Sequence, residues 1–232
     1  MKKLPKKTLL ATLLLGSLFN PLYAVETPNI QTLIIQADQG DAKAQYELGN
    51  DYAQGKGVSK DVAKAVEYWQ KAADQGNSEA QFQLGVAYFT GQGIVEDAQK
   101  ALGYWQKAAA NGKSSAQYML GVAYEHGWGV KKDYARAISY YRAAADQGLA
   151  PAQFELGRFY AKMEDAQKMI SYFQKAALQG YAPAQYRLGL AYKLGLGVKP
   201  SMLKSIEYFQ KAAVQGNKLA IEALKKIDKA PL

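Results

Sequence analysis

A repeat period of 36 residues constrains this chain more than any other feature. Leu48-Gly49, Leu84-Gly85 and Leu120-Gly121 recur at that interval, and Leu156-Gly157 and Leu188-Gly189 continue the series. Around them runs one pattern, AQ-xx-LG-xx-Y followed by GxGV-xx-D-xx-KA-xx-YW-xx-KAA-xx-G. A period of that length, filled with helical spacing and no strand alternation, predicts an all-α solenoid whose repeats stack on their neighbours. Such a chain presents a long surface and encloses no deep pocket.

Each repeat reads as a helix pair. In the first, Ala44, Leu48 and Tyr52 fall at i, i+4 and i+8 and form one apolar stripe on a helix ending near Gly55. Asp41 is placed to cap that helix, and Asn77 and Asn217 hold the same slot elsewhere. Gly49 sits mid-helix, where glycine costs about 1 kcal/mol relative to alanine. Its recurrence at one position implies close approach of the neighbouring helix backbone. Gly55 and Gly57 suit the turn, and Val58 plugs it into the core.

The second helix is expected from near Ser59, with Pro200 in the matching first turn of the fifth repeat. Asp61, Asp97, Asp133 and Asp165 then lie in first turns, where a carboxylate favours the positive end of the helix dipole. Ala65, Tyr68, Trp69, Ala72 and Ala73 make the buried side, and Gly76 terminates the helix. The resulting plan is a leader at 1–24 and a capping helix at 25–40. Repeats follow at 41–76, 77–112, 113–148, 149–180 and 181–216, and a second cap at 217–232. The fourth repeat is four residues short and lacks the glycine turn, because Tyr160 runs almost directly to Asp165. A tighter connection is expected there.

This ordered set of residues, occurring five times, resembles the Sel1-like repeat, a relative of the tetratricopeptide repeat. The resemblance covers nearly all of the chain after the leader. It implies a right-handed superhelix of antiparallel helix pairs whose concave face, lined by first helices, binds proteins. It also implies, for bacterial members, export and adaptor roles in signalling, envelope biogenesis or host contact. The repeat signature is structural and carries over no catalytic residue. The missing GxGV of the fourth repeat and Ser201 in the fifth repeat's Asp slot depart from it.

The first residues stand outside the repeats. Lys2, Lys3, Lys6 and Lys7 precede an apolar run from Leu9 to Phe19, Pro21 breaks it, and Leu22-Tyr23-Ala24 offers a cleavage site. This reads as a secretory leader cleaved after Ala24, and the mature protein as periplasmic or secreted with no integral membrane segment; a retained anchor is the alternative. No cysteine follows the run, which excludes a lipidated anchor. Cleavage removes four of 29 basic residues and no acidic ones, leaving 25 against 20. Seven lysines from Lys199 onward meet Glu207, Glu222 and Asp228, so the basic excess gathers at the end. Such an end meets acidic partners or anionic lipid, or is a solvated cap. With no cysteine in the chain, stability rests on packing.

Candidate chemistry is sparse. Ser201-Met202-Leu203-Lys204 matches S-x-x-K, but Ser201 and Lys204 occupy the Asp and Lys slots of the repeat, and S-D-N and K-T-G partners are absent. Gly112-Lys113-Ser114 lacks the earlier glycine of a phosphate loop, with Lys107 in its place. His126 is the sole histidine, which excludes histidine metal clusters and Ser-His-Asp triads within the chain. Neither a cofactor nor a metal is expected, and the modest charge argues against nucleic acid.

The groove is where specificity is expected. Phe82, Val86 and Phe89 fall at i, i+4 and i+7, and Tyr118, Val122 and Leu190 extend the apolar set. Exposed, they would form a patch of the kind that marks an interaction site. The competing reading assigns the aromatics at 46, 82, 118, 154 and 186 to the repeat core. Asn50, Glu125, Arg158 and Lys193 would give the groove polar selectivity, and Trp128, between two turn glycines, is either a loop anchor or folded back on its own repeat. The leading expectation is an exported, non-catalytic scaffold that docks a protein or peptide in the concave groove. An immunity protein neutralising a toxin delivered into the periplasm is a narrower version. A β-lactam- or cell-wall-active enzyme resting on Ser201 and Lys204 is the alternative of a different class.

Overall fold

The computed structural model describes residues 29–228, so the expected leader at 1–24, the first four residues of the expected capping helix and the final four residues lie outside the described residues. The described residues are all-helical. A short helix α1 (Ile30–Asp38) precedes five pairs. These are α2 (Ala42–Gln54) with α3 (Val62–Asp74), α4 (Ser78–Thr90) with α5 (Ala98–Ala110), and α6 (Ser114–His126) with α7 (Tyr134–Asp146). Then come α8 (Ala150–Lys162) with α9 (Ala166–Leu178) and α10 (Ala182–Leu194) with α11 (Met202–Ala213), and α12 (Lys218–Asp228) closes the series. The chain forms two compact units, divided within α7 between Ala137 and Ile138. In the first, α1 to α6 each pack on the next in order; in the second, α8 to α12 do the same.

Capping follows the sequence pattern with one shift. Asp41, Asn77 and Asn217 accept hydrogen bonds from the backbone N–H groups of Ala44 (2.7 Å), Ala80 (2.9 Å) and Ala220 (3.0 Å). The second helices start later than expected from Ser59. Asp61, Asp97 and Asp165 are the N-caps themselves, accepting from the N–H groups of Lys64, Lys100 and Lys168, and Asp133 accepts likewise from Arg136. Pro200 therefore precedes the cap and lies outside the first turn. In the short fourth repeat the turn consists of Met163, Glu164 and Asp165, and Glu164 takes the left-handed conformation (φ 59°) that glycines supply in the other turns.

The recurring residues are spent on contacts within and between repeats. An ideal Cβ on Gly49 would lie 2.6 Å from the Trp69 ring; on Gly85, 2.3 Å from Trp105; on Gly157 and Gly189, 2.5 Å from Phe173 and Phe209. The expected close approach is thus made chiefly by an aromatic side chain of the second helix, joined at Gly49 by the backbone carbonyl of Ala65 at 3.1 Å. Rings of this kind, largely or wholly buried, contribute about 3 kcal/mol each.

In four of the five repeats the glutamine of the first-helix AQ pair is buried and reaches back to the preceding helix pair or cap. Gln45, Gln81, Gln153 and Gln185 donate to the carbonyls of Ala37, Ala73, Ala145 and Ala177. Their own carbonyl oxygens accept from Gln75, Asn111, Gln179 and Gln215 at the ends of the following helices. The loop glycine at 93 also reaches back: its φ is 71°, and a Cβ there would meet the Val62 carbonyl at 2.6 Å.

In four of the pairs the signature tyrosines and lysines stack near the connection between the two helices. Tyr52 stacks on Tyr68 (5.7 Å, 7°) between the ammonium groups of Lys64 and Lys71, and Tyr192 stacks on Tyr208 between Lys204 and Lys211. The array ends differently. α12 keeps buried Ala220 in the stripe, but Lys225 stands in the slot held elsewhere by Gly49, Gly85, Gly157 and Gly189.

Candidate functional site

The residue one place after each first-helix glycine differs between repeats, reading Asn50, Val86, Val122, Arg158 and Leu190. Asn50 is half-buried, and its Oδ1 accepts from the Trp69 indole N–H at 3.1 Å. Val86 is buried at the matching place, and the Trp105 indole nitrogen, fully buried, has no hydrogen-bond partner. Sequence reasoning missed this pairing, although Asn against Val beside a recurring Trp was its visible trace.

The expected exposed apolar patch is corrected by burial. Phe82, Val86, Phe89, Tyr118, Val122 and Glu125 are all buried, with Phe89 and Val122 only 1 % exposed. The reason is visible where the same slot can be followed: Phe154 packs on Phe173 at 5.6 Å and Tyr186 on Phe209 at 5.7 Å. The aromatic at this slot belongs to the core of its own helix pair. Phe89 is held between Trp105 (5.4 Å) and Trp128 (4.8 Å). Trp128 is half-buried and does not fold back on its own repeat alone. It lies over Phe89 of the preceding repeat while stacking on His126 at 5.2 Å.

The polar candidates fare otherwise. Arg158 is half-buried and ion-paired with Glu155 one turn away, and Lys193 is exposed. Leu190 is partly buried against the cluster of Phe209, Ala212 and Ala220. Near the Arg158–Glu155 pair lies Tyr181, which stands at the N-cap of α10 without capping it and packs edge-on against Phe154. Burial, reinforced by the Glu155 charge, pushes its phenol up to about 12. Asn50, Arg158, Leu190 and Lys193 therefore keep solvent access on the first helices, and three of the four are polar.

The S-x-x-K pair is arranged as repeat architecture. Ser201 Oγ accepts from the Lys204 backbone N–H at 3.3 Å as an N-cap, and the Lys204 ammonium lies over the Tyr192 ring at 5.1 Å. Among the described residues no group of three or more His, Asp or Glu is placed to hold a metal, and no helix is long and apolar enough to cross a membrane.

A family model described as Sel1 repeat matches residues 42–77, 78–113, 114–149, 150–181 and 182–217. The chain is 42% identical over 69 residues to the secretory immunoglobulin A-binding protein EsiB of Escherichia coli O6:H1. That stretch is 29% of this chain and 14% of EsiB, so the chain spans a small part of that relative. A Sel1 repeat protein from Oxalobacter formigenes superposes with a TM-score of 0.79 at 28% identity, covering 87% of this chain and 88% of that one. Immunity protein PA5088 from Pseudomonas aeruginosa superposes with a TM-score of 0.53 at 30% identity, covering 77% and 66%.

Proposed function

The chain belongs to the Sel1 repeat family, and from that premise we propose that it is an exported, non-catalytic scaffold that docks a protein or peptide along its first helices. One observation carries this reading. The residues that recur are committed to packing, capping and inter-repeat hydrogen bonds, so selectivity falls to those that vary: Asn50 on the first unit and, on the second, Arg158, Leu190 and Lys193. A protein-binding relative, EsiB, is consistent with the use of such an array. The buried aromatics support the surface from beneath.

The test is capture from a periplasmic extract with wild-type protein and with an Arg158→Glu/Lys193→Glu variant. One stoichiometric partner, lost in the variant while circular dichroism stays constant, is the expected outcome. Equal capture by both removes these residues from the interface. The likeness to PA5088 favours the immunity version as a second reading. Its test is whether the chain protects cells against a toxin encoded beside it; unprotected cells with normal levels of the protein eliminate it.

A further inference from the structure

The two units differ in charge although the same repeat builds both. Residues 29–137 hold eleven Lys and Arg against twelve Asp and Glu; residues 138–228 hold thirteen against seven. In the second unit much of the excess gathers at one edge. Because α8, α10 and α12 run in one direction and α9 and α11 return, this edge contains the α8–α9 and α10–α11 connections and the last turn of α12. Lys162, Lys193, Lys199, Lys225 and Lys226 are exposed there, against Glu164, Asp228 and the half-buried Asp165, which pairs with Lys168. The N-cap carboxylate that pairs with Lys100 and Lys168 in other repeats is replaced by Ser201, which leaves Lys204 without that counter-charge.

Between these lysines stand large apolar side chains. Met163 is 60% exposed, Leu194 62%, Leu196 48%, Met202 49% and Leu203 80%. They occupy short connections and helix ends. The open pocket at this edge is lined by Tyr192, Val198, Lys199, Pro200, Ser201 and Lys204 and by none of these five side chains. Exposed aliphatic groups outside a pocket, flanked by lysines, suit a bilayer, in which they enter the acyl boundary while the lysines, on long apolar stems, reach lipid phosphates.

We propose that this edge of the second unit docks on an anionic lipid bilayer, as a peripheral contact. Lys193 is common to this edge and to the first-helix surface of the partner reading, so the test leaves it unchanged and relies on positions 196, 199, 203 and 226, which the partner reading does not use. Because the chain lacks cysteine, a single introduced thiol labels uniquely. Full-length chain carrying Leu196→Cys or Leu203→Cys, labelled with an environment-sensitive nitrobenzoxadiazole dye, is titrated with vesicles of phosphatidylglycerol and phosphatidylcholine, and with phosphatidylcholine alone. The expected result is a several-fold brightening and blue shift with anionic vesicles only. It is absent for Leu178→Cys, whose parent side chain is 88% exposed at the opposite edge. Lys199→Gln and Lys226→Gln each weaken partitioning about fivefold, and high salt suppresses it. No response at 196 and 203, an equal response at 178, or an equal response with neutral vesicles overturns the proposal. Vesicle binding with dark labels at 196 and 203 assigns the contact to another segment, and overturns it too.

Discussion

Repeats one and two set a tryptophan against the same glycine slot, yet only one of the two indoles is satisfied. Trp69 donates to Asn50, while Trp105, fully buried, finds Val86 where the acceptor would be. The apolar packing is preserved in both, with Gly49 and Gly85 each under an aromatic ring. The pair teaches that the repeat signature specifies shape, and that the position following the glycine is free to be polar or apolar at an energetic cost. A buried donor without a partner costs about 1–3 kcal/mol.

The largest expected effect comes from breaking what the two repeats share. Gly85→Ala forces a methyl into Trp105 and should lower stability by about 3 kcal/mol in urea unfolding. Gly103→Ala, in α5 with open space around it, is the control and should gain up to about 1 kcal/mol. If both behave alike, the ring contact does not explain the glycine. Next, Asn50→Val converts repeat one into the state of repeat two and should cost about 1–2 kcal/mol, while Val86→Asn should recover part of that at Trp105. Indole N–H chemical shifts in both variants report whether the bond is lost or made.

A further contrast lies one helix later. The slot of Ala65 and Ala101 is occupied in the fifth repeat by Ser205, fully buried with its hydroxyl unpaired. Ser205→Ala should raise stability by about 1 kcal/mol. The smallest effect is one of pH. Asp41 and Asn77 cap their helices, whereas Tyr181 in the matching slot is a half-buried phenol pushed up to about 12. Its folded value lies above that of the unfolded chain, near 10. Its contribution is therefore complete below pH 10 and is lost as pH rises from about 10 to 12. Tyr181→Phe should flatten that decline in urea midpoints measured across the alkaline range.

Much of the fold was legible because one residue type answers one recurring contact. A glycine under a ring, an acid at an N-cap and a glycine past a helix end each leave a mark at a fixed period. Less legible was the outcome at Phe82, Phe89 and Trp128. Helical phase assigns a side chain to a face, but coverage of that face depends on rings from other helices, such as Trp105. The glutamine ties were visible as AQ without revealing their use, since Gln75 meets Gln45 across 30 residues. Glu164 gave no local signal, because a left-handed acidic residue looks like any other until the backbone is seen.

Lys225 has a consequence for how such a chain can change length. The first helices α2, α4, α8 and α10 each offer a bare backbone patch on which the next aromatic ring settles, whereas α12 offers an ammonium on a four-carbon stem. A gene duplication that appended one more repeat after residue 228 would have no seat for its ring. A second helix packed on α12 by the same ring contact would need glycine at this one codon, whereas a repeat inserted between existing ones would not.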